Sequence, residues 1–368
     1  MLSSRLILPG FLLILILLTS LATPSTATAQ PSGARGDDFI YRVVRNDTLI
    51  DISTRFTGTP NNWGVLQSLN AVPDTLALPI GRELRIPFSL IPEVAAHAAV
   101  IHSIGQILLN LGSIREHDTI TEGDVVETRA DSFVTIQLPD GSLASLPANS
   151  VVNIKRLRTF LGTGLIDVIL QLRHGDVESN VAPENTGTGR YEIQTPISIT
   201  GVRGTRLRVR ADDKGTRTEV LSGIAELGKA QASGSRVGPQ QGVAVTSDGT
   251  ILPARPLLPA PTLSADASNP NARSIMFDPV PGATAYLVRV ASDPSGTRPV
   301  WTQTIDAPPA TYHTPGSGTW YVLVRAIDDL GLMSDDATQA VEGRRVLLSG
   351  SGESVTNGFG DPILLNDY

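Results

Sequence analysis

The sequence predicts a mainly β, multidomain protein, and three observations carry that prediction. Its 368 residues suggest two or three domains at roughly 150 residues each. Its 34 glycines and 26 prolines together make about one residue in six, a density that belongs to turns and short strands rather than helical bundles. Short runs of alternating apolar residues recur from residue 105 to 345, the two-residue period of half-buried strands. With 41% hydrophobic residues, the chain can build packed cores. A net charge of −7 does not suit a nucleic-acid binder. Cysteine is absent, which removes disulfides, thiolate metal sites and cysteine nucleophiles together. Five histidines leave few options for a metal site.

The chain opens with Arg5, an apolar run over residues 6–18 and a small-residue exit ending Ala27-Thr28-Ala29. That order predicts a signal peptide over residues 1–29. The run falls short of the ~20 residues a membrane span needs, and Pro9-Gly10 interrupts it. The expected mature chain begins at Gln30, has no transmembrane span, and is periplasmic or otherwise exported.

Residues 30–38 are small and polar and are expected to be disordered. Residues 39–88 read as βααβ. Phe39 to Val44 is strand-like, Leu49, Ile50, Ile52 and Phe56 have helical spacing, and Asn61-Asn62 is placed to cap a second helix carrying Trp63, Val65, Leu66 and Leu69. Glu83 to Ile86 forms the closing strand. Residues 89–104 are either a linker or the first strand of the next domain, which covers 105–250. There Pro139-Asp140-Gly141-Ser142 signals a hairpin. Four prolines in residues 251–262 predict a stiff, extended, protease-accessible linker. A further β-rich domain spans 263–345, with Tyr286, Val288 and Val290 on one strand face and Trp320, Val322, Val324 and Ala326 on another. Residues 346–368 read as a flexible tail.

The run from Tyr41 to Phe56 (YRVVRNDTLIDISTRF), with Asn62 to Asn70 (NWGVLQSLN) and Leu78 to Pro87 (LPIGRELRIP), resembles a LysM module. The resemblance implies binding of N-acetylglucosamine-containing polymers, in bacteria mostly peptidoglycan. Carried over, the glycan site falls on Asp47, Thr48 and Leu49 on one side and Asn70, Ala71 and Val72 on the other. Asn46 stands where the family usually has glycine, and Asn tolerates a left-handed backbone. The middle tract resembles the FecR domain through Glu122 to Thr128 (EGDVVET), Leu138 to Ser150 (LPDGSLASLPANS) and Thr195 to Val209 (TPISITGVRGTRLRV). In iron-transport regulators that domain relays a signal across the inner membrane. This chain shows no anti-sigma segment and no membrane helix ahead of the domain, so the resemblance implies an envelope interaction or sensing module. Residues 263–345 resemble a fibronectin type III-like β-sandwich, with Trp320 in the place of the corner tyrosine and Phe277 where a core tryptophan is common.

No nucleophile–base set, metal motif or phosphate loop is present, so no enzymatic activity, cofactor or metal is expected. His97 and His102 have a spacing that suits neither a helix face nor a strand face as a ligand pair. Asp212-Asp213-Lys214-Gly215 reads as a turn rather than a calcium loop. Asp47 is read as a helix N-cap, with or without a sugar contact. Trp63 is read as a core wedge, the alternative being a sugar-stacking platform. Arg206, Arg208 and Arg210 share one strand face, either solvated or an anionic-partner surface for such groups as cell-wall carboxylates. The whole reads as an exported, non-catalytic envelope protein that binds peptidoglycan through LysM and presents a FecR-like module to an envelope protein partner. The alternative is an envelope signalling component that LysM merely localises.

Overall fold

The computed structural model describes residues 33–75, 78–182, 188–228, 235–265, 273–343, 345–347, 355 and 363–365. The expected signal peptide lies outside these residues, as does nearly all of the expected tail. The described chain is mainly β and forms three modules in sequence order.

The first module is a three-stranded antiparallel sheet with two helices. Strands β1 (Ala34–Arg35), β2 (Asp38–Arg42) and β3 (Glu83–Pro87) lie in that order. Helices α1 (Leu49–Thr57) and α2 (Trp63–Leu69) fall between β2 and β3. Residues 33–38, expected to be disordered, are instead part of this sheet: Ala34 pairs with Phe39 and is buried. The core gathers Phe39, Tyr41, Leu49, Ile52, Phe56, Leu66, Leu84 and Ile86. Helix α1 follows a left-handed residue at Asn46 (φ 69°) and ends at Gly58 (φ 70°), whose amide donates to the Thr54 carbonyl. That is a glycine C-cap, where a side chain would be strained. The expected cap of α2 is different in detail. A 3-10 turn, Pro60–Asn62, precedes it, and Thr59 accepts from the Asn61 amide, while Asn62 makes no capping bond and donates to Thr57.

The second module begins without a linker: strands Glu93–Ala95 and Ala98–Ile104 already belong to its sheet. Sixteen described strands join into one sheet ending at Arg255–Pro256. Asp140-Gly141 turns the hairpin of Phe133–Gln137 and Leu143–Leu146, as the sequence predicts. The longest strands, Ile166–Asn180, Ile199–Asp212 and Gly215–Gly228, carry the inward row Val168, Leu170, Leu172, Val177, Leu207, Val209, Val220 and Ala225. Thr188–Gln194 runs parallel to Ile166–Gln171 and antiparallel to Ile199–Val202. The first module is anchored to the second through apolar contact. Phe160 and Leu165 complete the first core, and Phe88 stacks on Phe160 with ring centroids 4.4 Å apart.

The third module has two sheets. Ser264–Ala265, Ser274–Met276 and Ala310–Thr311 form one. Pro299–Ile305, Ala285–Ala291, Gly318–Ile327 and Ala337–Gly343 form the other, in that order. Tyr286, Val288, Val290, Val322, Val324 and Ala326 fill the core between them. The preceding proline-rich segment is extended but pinned. The Leu252 amide donates to Ala244, Arg255–Pro256 pairs with Gln241–Gly242, and the Leu257 amide donates to Gln240. Among the described residues, no helix is long and apolar enough to cross a membrane.

Candidate functional site

Two loops meet at one end of the first module. The β2–α1 loop approaches the loop after α2, and the Leu49 amide donates to the Thr75 carbonyl at 3.4 Å. Each loop is anchored from behind. Asp47 is buried, and its carboxylate accepts from the Tyr41 hydroxyl at 2.7 Å, the Val44 amide at 2.8 Å and Arg55 Nη2 at 3.1 Å. Arg55 Nη1 also donates to the Tyr41 hydroxyl at 2.9 Å. Burial, then the Asp47 hydrogen bond and charge, pushes the Tyr41 phenol above its ordinary value, so Tyr41 stays a donor. Asp47 therefore does not cap α1. That role belongs to Thr48, whose hydroxyl accepts from the Asp51 amide and donates to the Asp51 carboxylate at 2.6 Å. Asp47 is instead the buried pin of the loop.

On the facing loop, Asn70 bridges to β3. Its Oδ1 accepts from the Arg85 amide at 2.7 Å, and its Nδ2 donates to the Arg85 and Leu66 carbonyls, each at 2.9 Å. Arg82 Nη2 donates to the Asn70 carbonyl at 2.6 Å. Tyr41, Arg55 and Arg82 were not singled out from the sequence. Tyr41 lies six residues before Asp47, and no local period links them.

Of the six residues expected to contact glycan, Leu49 and Val72 are buried in the core, so their side chains do not line the groove. Asp47 and Asn70 shape it from within. Thr48 is half-buried and Ala71 exposed with φ 46°; these two, with the backbone groups of both loops, face outward. Trp63, read as a core wedge, is 39% exposed, while its neighbour Leu66 is fully buried. Leu66 takes the inward position, and Trp63, three residues earlier, falls to its flank.

The arginine stripe has a different fate. Arg206, Arg208 and Arg210 do share a face, as their parity demands, but the third module covers it. Arg206 pairs with Asp335. Arg208 is 5% exposed, lies 2.6 Å from Glu219 and donates to the Met333 and Ser334 carbonyls at 2.9 and 2.6 Å. Arg210 donates to Asp176 at 2.7 Å. Arg208 is buried and Arg206 and Arg210 are half-buried; the stripe's partners are intramolecular rather than cell-wall carboxylates. Around it, Glu178 receives Arg289 and Arg325, Arg325 also pairs with Asp336, and Arg289 stands 5.4 Å over the Phe133 ring. His102 Nε2 lies 2.9 Å from the Pro299 carbonyl, a structural position at the same interface. Among the described residues, no group of three metal-ligating side chains gathers to hold an ion.

Residues 41–87 match the LysM domain family model, and residues 124–226 match the FecR protein model. LysM domains generally bind N-acetylglucosamine-containing glycans, and both domains are typical of envelope proteins. No curated protein matches the chain. Among solved structures, the chain is similar to two crystal structures of a "putative anti-sigma factor" from Parabacteroides distasonis, at 1.65 and 2.50 Å resolution. Each is 18% identical with a TM-score of 0.30, over 36% of this chain and 59% of that one. The chain therefore spans less than two thirds of those structures.

Proposed function

We propose that this is an exported, non-catalytic envelope protein that binds peptidoglycan through its LysM groove and presents its FecR-like module to an envelope partner. One observation carries the glycan reading: two loops face each other across the Leu49–Thr75 hydrogen bond, one held by the buried carboxylate of Asp47 and the other by the half-buried amide of Asn70. Such a groove offers preorganised backbone donors and acceptors to acetamido and hydroxyl groups. The third module is read as fibronectin type III-like. Its sheets of three and four strands support this, as does the bond from Trp320 Nε1 back to the Gly316 carbonyl at 3.1 Å, since a corner tyrosine makes the same upstream contact.

Co-sedimentation with purified sacculi, and titration with N-acetylglucosamine oligomers, test the glycan reading. Wild type is expected to sediment, with an affinity per site on the order of micromolar to millimolar. Ala71→Arg and Thr48→Arg, each checked for folding, are expected to stay in solution. If folded Ala71→Arg sediments as well as wild type, the groove is not the site. If wild type stays in solution, an envelope signalling role becomes the better account; the FecR match over residues 124–226 favours that role.

A further inference from the structure

A second concave surface lies at the opposite end of the first module from the glycan groove. It is a cleft of about 750 Å³ between the first module and the outer face of the FecR-like sheet, within the size range of small-ligand sites. Four strands form its floor, and their register places one residue from each in a row. Glu192 pairs with Gly201, Gly201 with Glu226, and Glu226 with Arg236. All four line the cleft. Their strand neighbours Tyr191, Val202, Ala225 and Val237 are buried on the other face, as alternation requires.

The row has a hole in it. A Cβ built on Gly201 would meet nothing within 4 Å, so the floor between the two carboxylates is open rather than packed. Glu192 and Glu226 flank that opening, about 10 Å apart at two strand spacings. Arg236, exposed, stands on the far side of Glu226. The exposed side chain of Ile224 and the half-buried ring of Phe88 add apolar wall. At the inner end Arg190 is held by Asp167 at 2.6 and 2.7 Å, and Asp167 also receives Arg156. That anchored cluster makes a rigid stop to the cleft.

We propose that this cleft binds an extended peptide carrying a side-chain amine and a terminal carboxylate, namely the peptide portion of peptidoglycan. The ammonium would sit over Gly201 between Glu192 and Glu226, and the carboxylate would face Arg236. The row spans three strand spacings, about 14 Å, the length of an extended tetrapeptide at about 3.4 Å per residue. A neutral glycan could hydrogen-bond these groups but would leave their charges unpaired, whereas an ammonium and a carboxylate complement both signs. The choice of wall peptide rests on the glycan reading above. Strand β2 runs from the cleft wall at Asp37 toward the groove loop, so the two sites lie about 17 Å apart. One wall fragment could then engage both sites and gain avidity.

The test titrates the mature full-length chain with a free alanine–glutamate–lysine–alanine tetrapeptide of wall stereochemistry. The same peptide acetylated at its lysine amine and an N-acetylglucosamine tetramer serve as separate arms. Wild type is expected to bind the free tetrapeptide at low salt. Acetylation, Gly201→Leu and Arg236→Glu are each expected to weaken binding at least about tenfold. Ala71→Arg is expected to leave it unchanged. Gly201→Leu meets open space, and Arg236 lies on an exposed strand, so both variants should fold. No binding of the tetrapeptide by wild type, equal binding of the acetylated peptide, or undiminished binding by both variants overturns the assignment. Failure of the tetramer arm alone removes the glycan reading and leaves the peptide site standing.

Discussion

Arg325 of the third module lies 2.8 Å from Glu178 of the second, 147 residues earlier in the chain. Arg289 reaches the same carboxylate at 2.6 Å, so one glutamate answers two guanidiniums across a module boundary. Burial disfavours the charge on Glu178, but Arg289 and Arg325 outweigh it and hold the carboxyl well below its ordinary 4.5.

Glu178→Ala removes the shared anion and leaves two buried guanidiniums with one partner fewer. Breaking a buried ion pair on one side costs about 3–5 kcal/mol. Chemical denaturation should show that loss in the second and third modules together. The paired change Glu178→Leu with Arg289→Met should recover part of it, since Arg325 keeps Asp336 while Arg289 left without its carboxylate costs more than an apolar side chain.

Acid should loosen the same boundary. Glu178 and Asp336 both have folded values below their ordinary ones; burial opposes this, and the neighbouring arginines prevail. A carboxyl lowered on folding stabilises fully above its unfolded value, and that stability is lost as pH falls through the folded value. Thermal melts taken downward in pH should therefore fall once the pH drops below about 4.5. Glu122, held at about 2 by its hydrogen bonds to Arg158, adds a smaller, solvent-screened contribution in the same window. A flat profile to pH 3 would contradict this account.

Within the LysM module, the buried pin should matter more than the cap. Asp47→Ala removes the acceptor of the Tyr41 hydroxyl and the Val44 amide, a cost of about 2–3 kcal/mol. Thr48→Ala removes the helix cap, for about 1 kcal/mol. Urea denaturation of the two variants should rank them in that order.

Limited proteolysis should not separate the modules at residues 251–262. Backbone bonds tie that segment to Gln240 and Ala244, and Arg255 pairs with Asp328 and Asp329. Mass mapping of early cuts should find none there under native conditions; dominant cleavage at those prolines would show the segment to be free.

Local features were readable in the sequence, and long-range coverings were not. The Asp140-Gly141 hairpin and the shared face of Arg206, Arg208 and Arg210 follow from local pattern alone, while the LysM order and the left-handed turn at Asn46 are what the family resemblance implies. The stripe's environment does not, because a two-residue period reports which face a side chain takes and not what lies against it. One signal was present: Asp176 and Glu178 alternate on a strand that pairs with Arg210 and Arg208, and Glu219 flanks Arg208 on the other side. A charge row answered on both neighbouring strands points to burial rather than solvent. Asp47 was misread because Tyr41 and Arg55, its partners, lie outside any local capping pattern. Trp63 was misplaced because α2 has seven residues, too few for its apolar positions to define one face.

The strand Arg255–Pro256 closes the last row of the large sheet. Proline has no amide hydrogen, so the outer side of that row cannot extend a hydrogen-bonded ladder there. Behind it lies Gln241–Thr246, with the apolar run Gly242, Val243, Ala244 and Val245. An open edge of that composition is a template for pairing with another chain. The segment joining the two β-modules is therefore also a guard against self-association. A chain ending near residue 250 would expose a sticky border, and its aggregation would reflect the missing proline strand rather than a failure of the FecR-like module to fold.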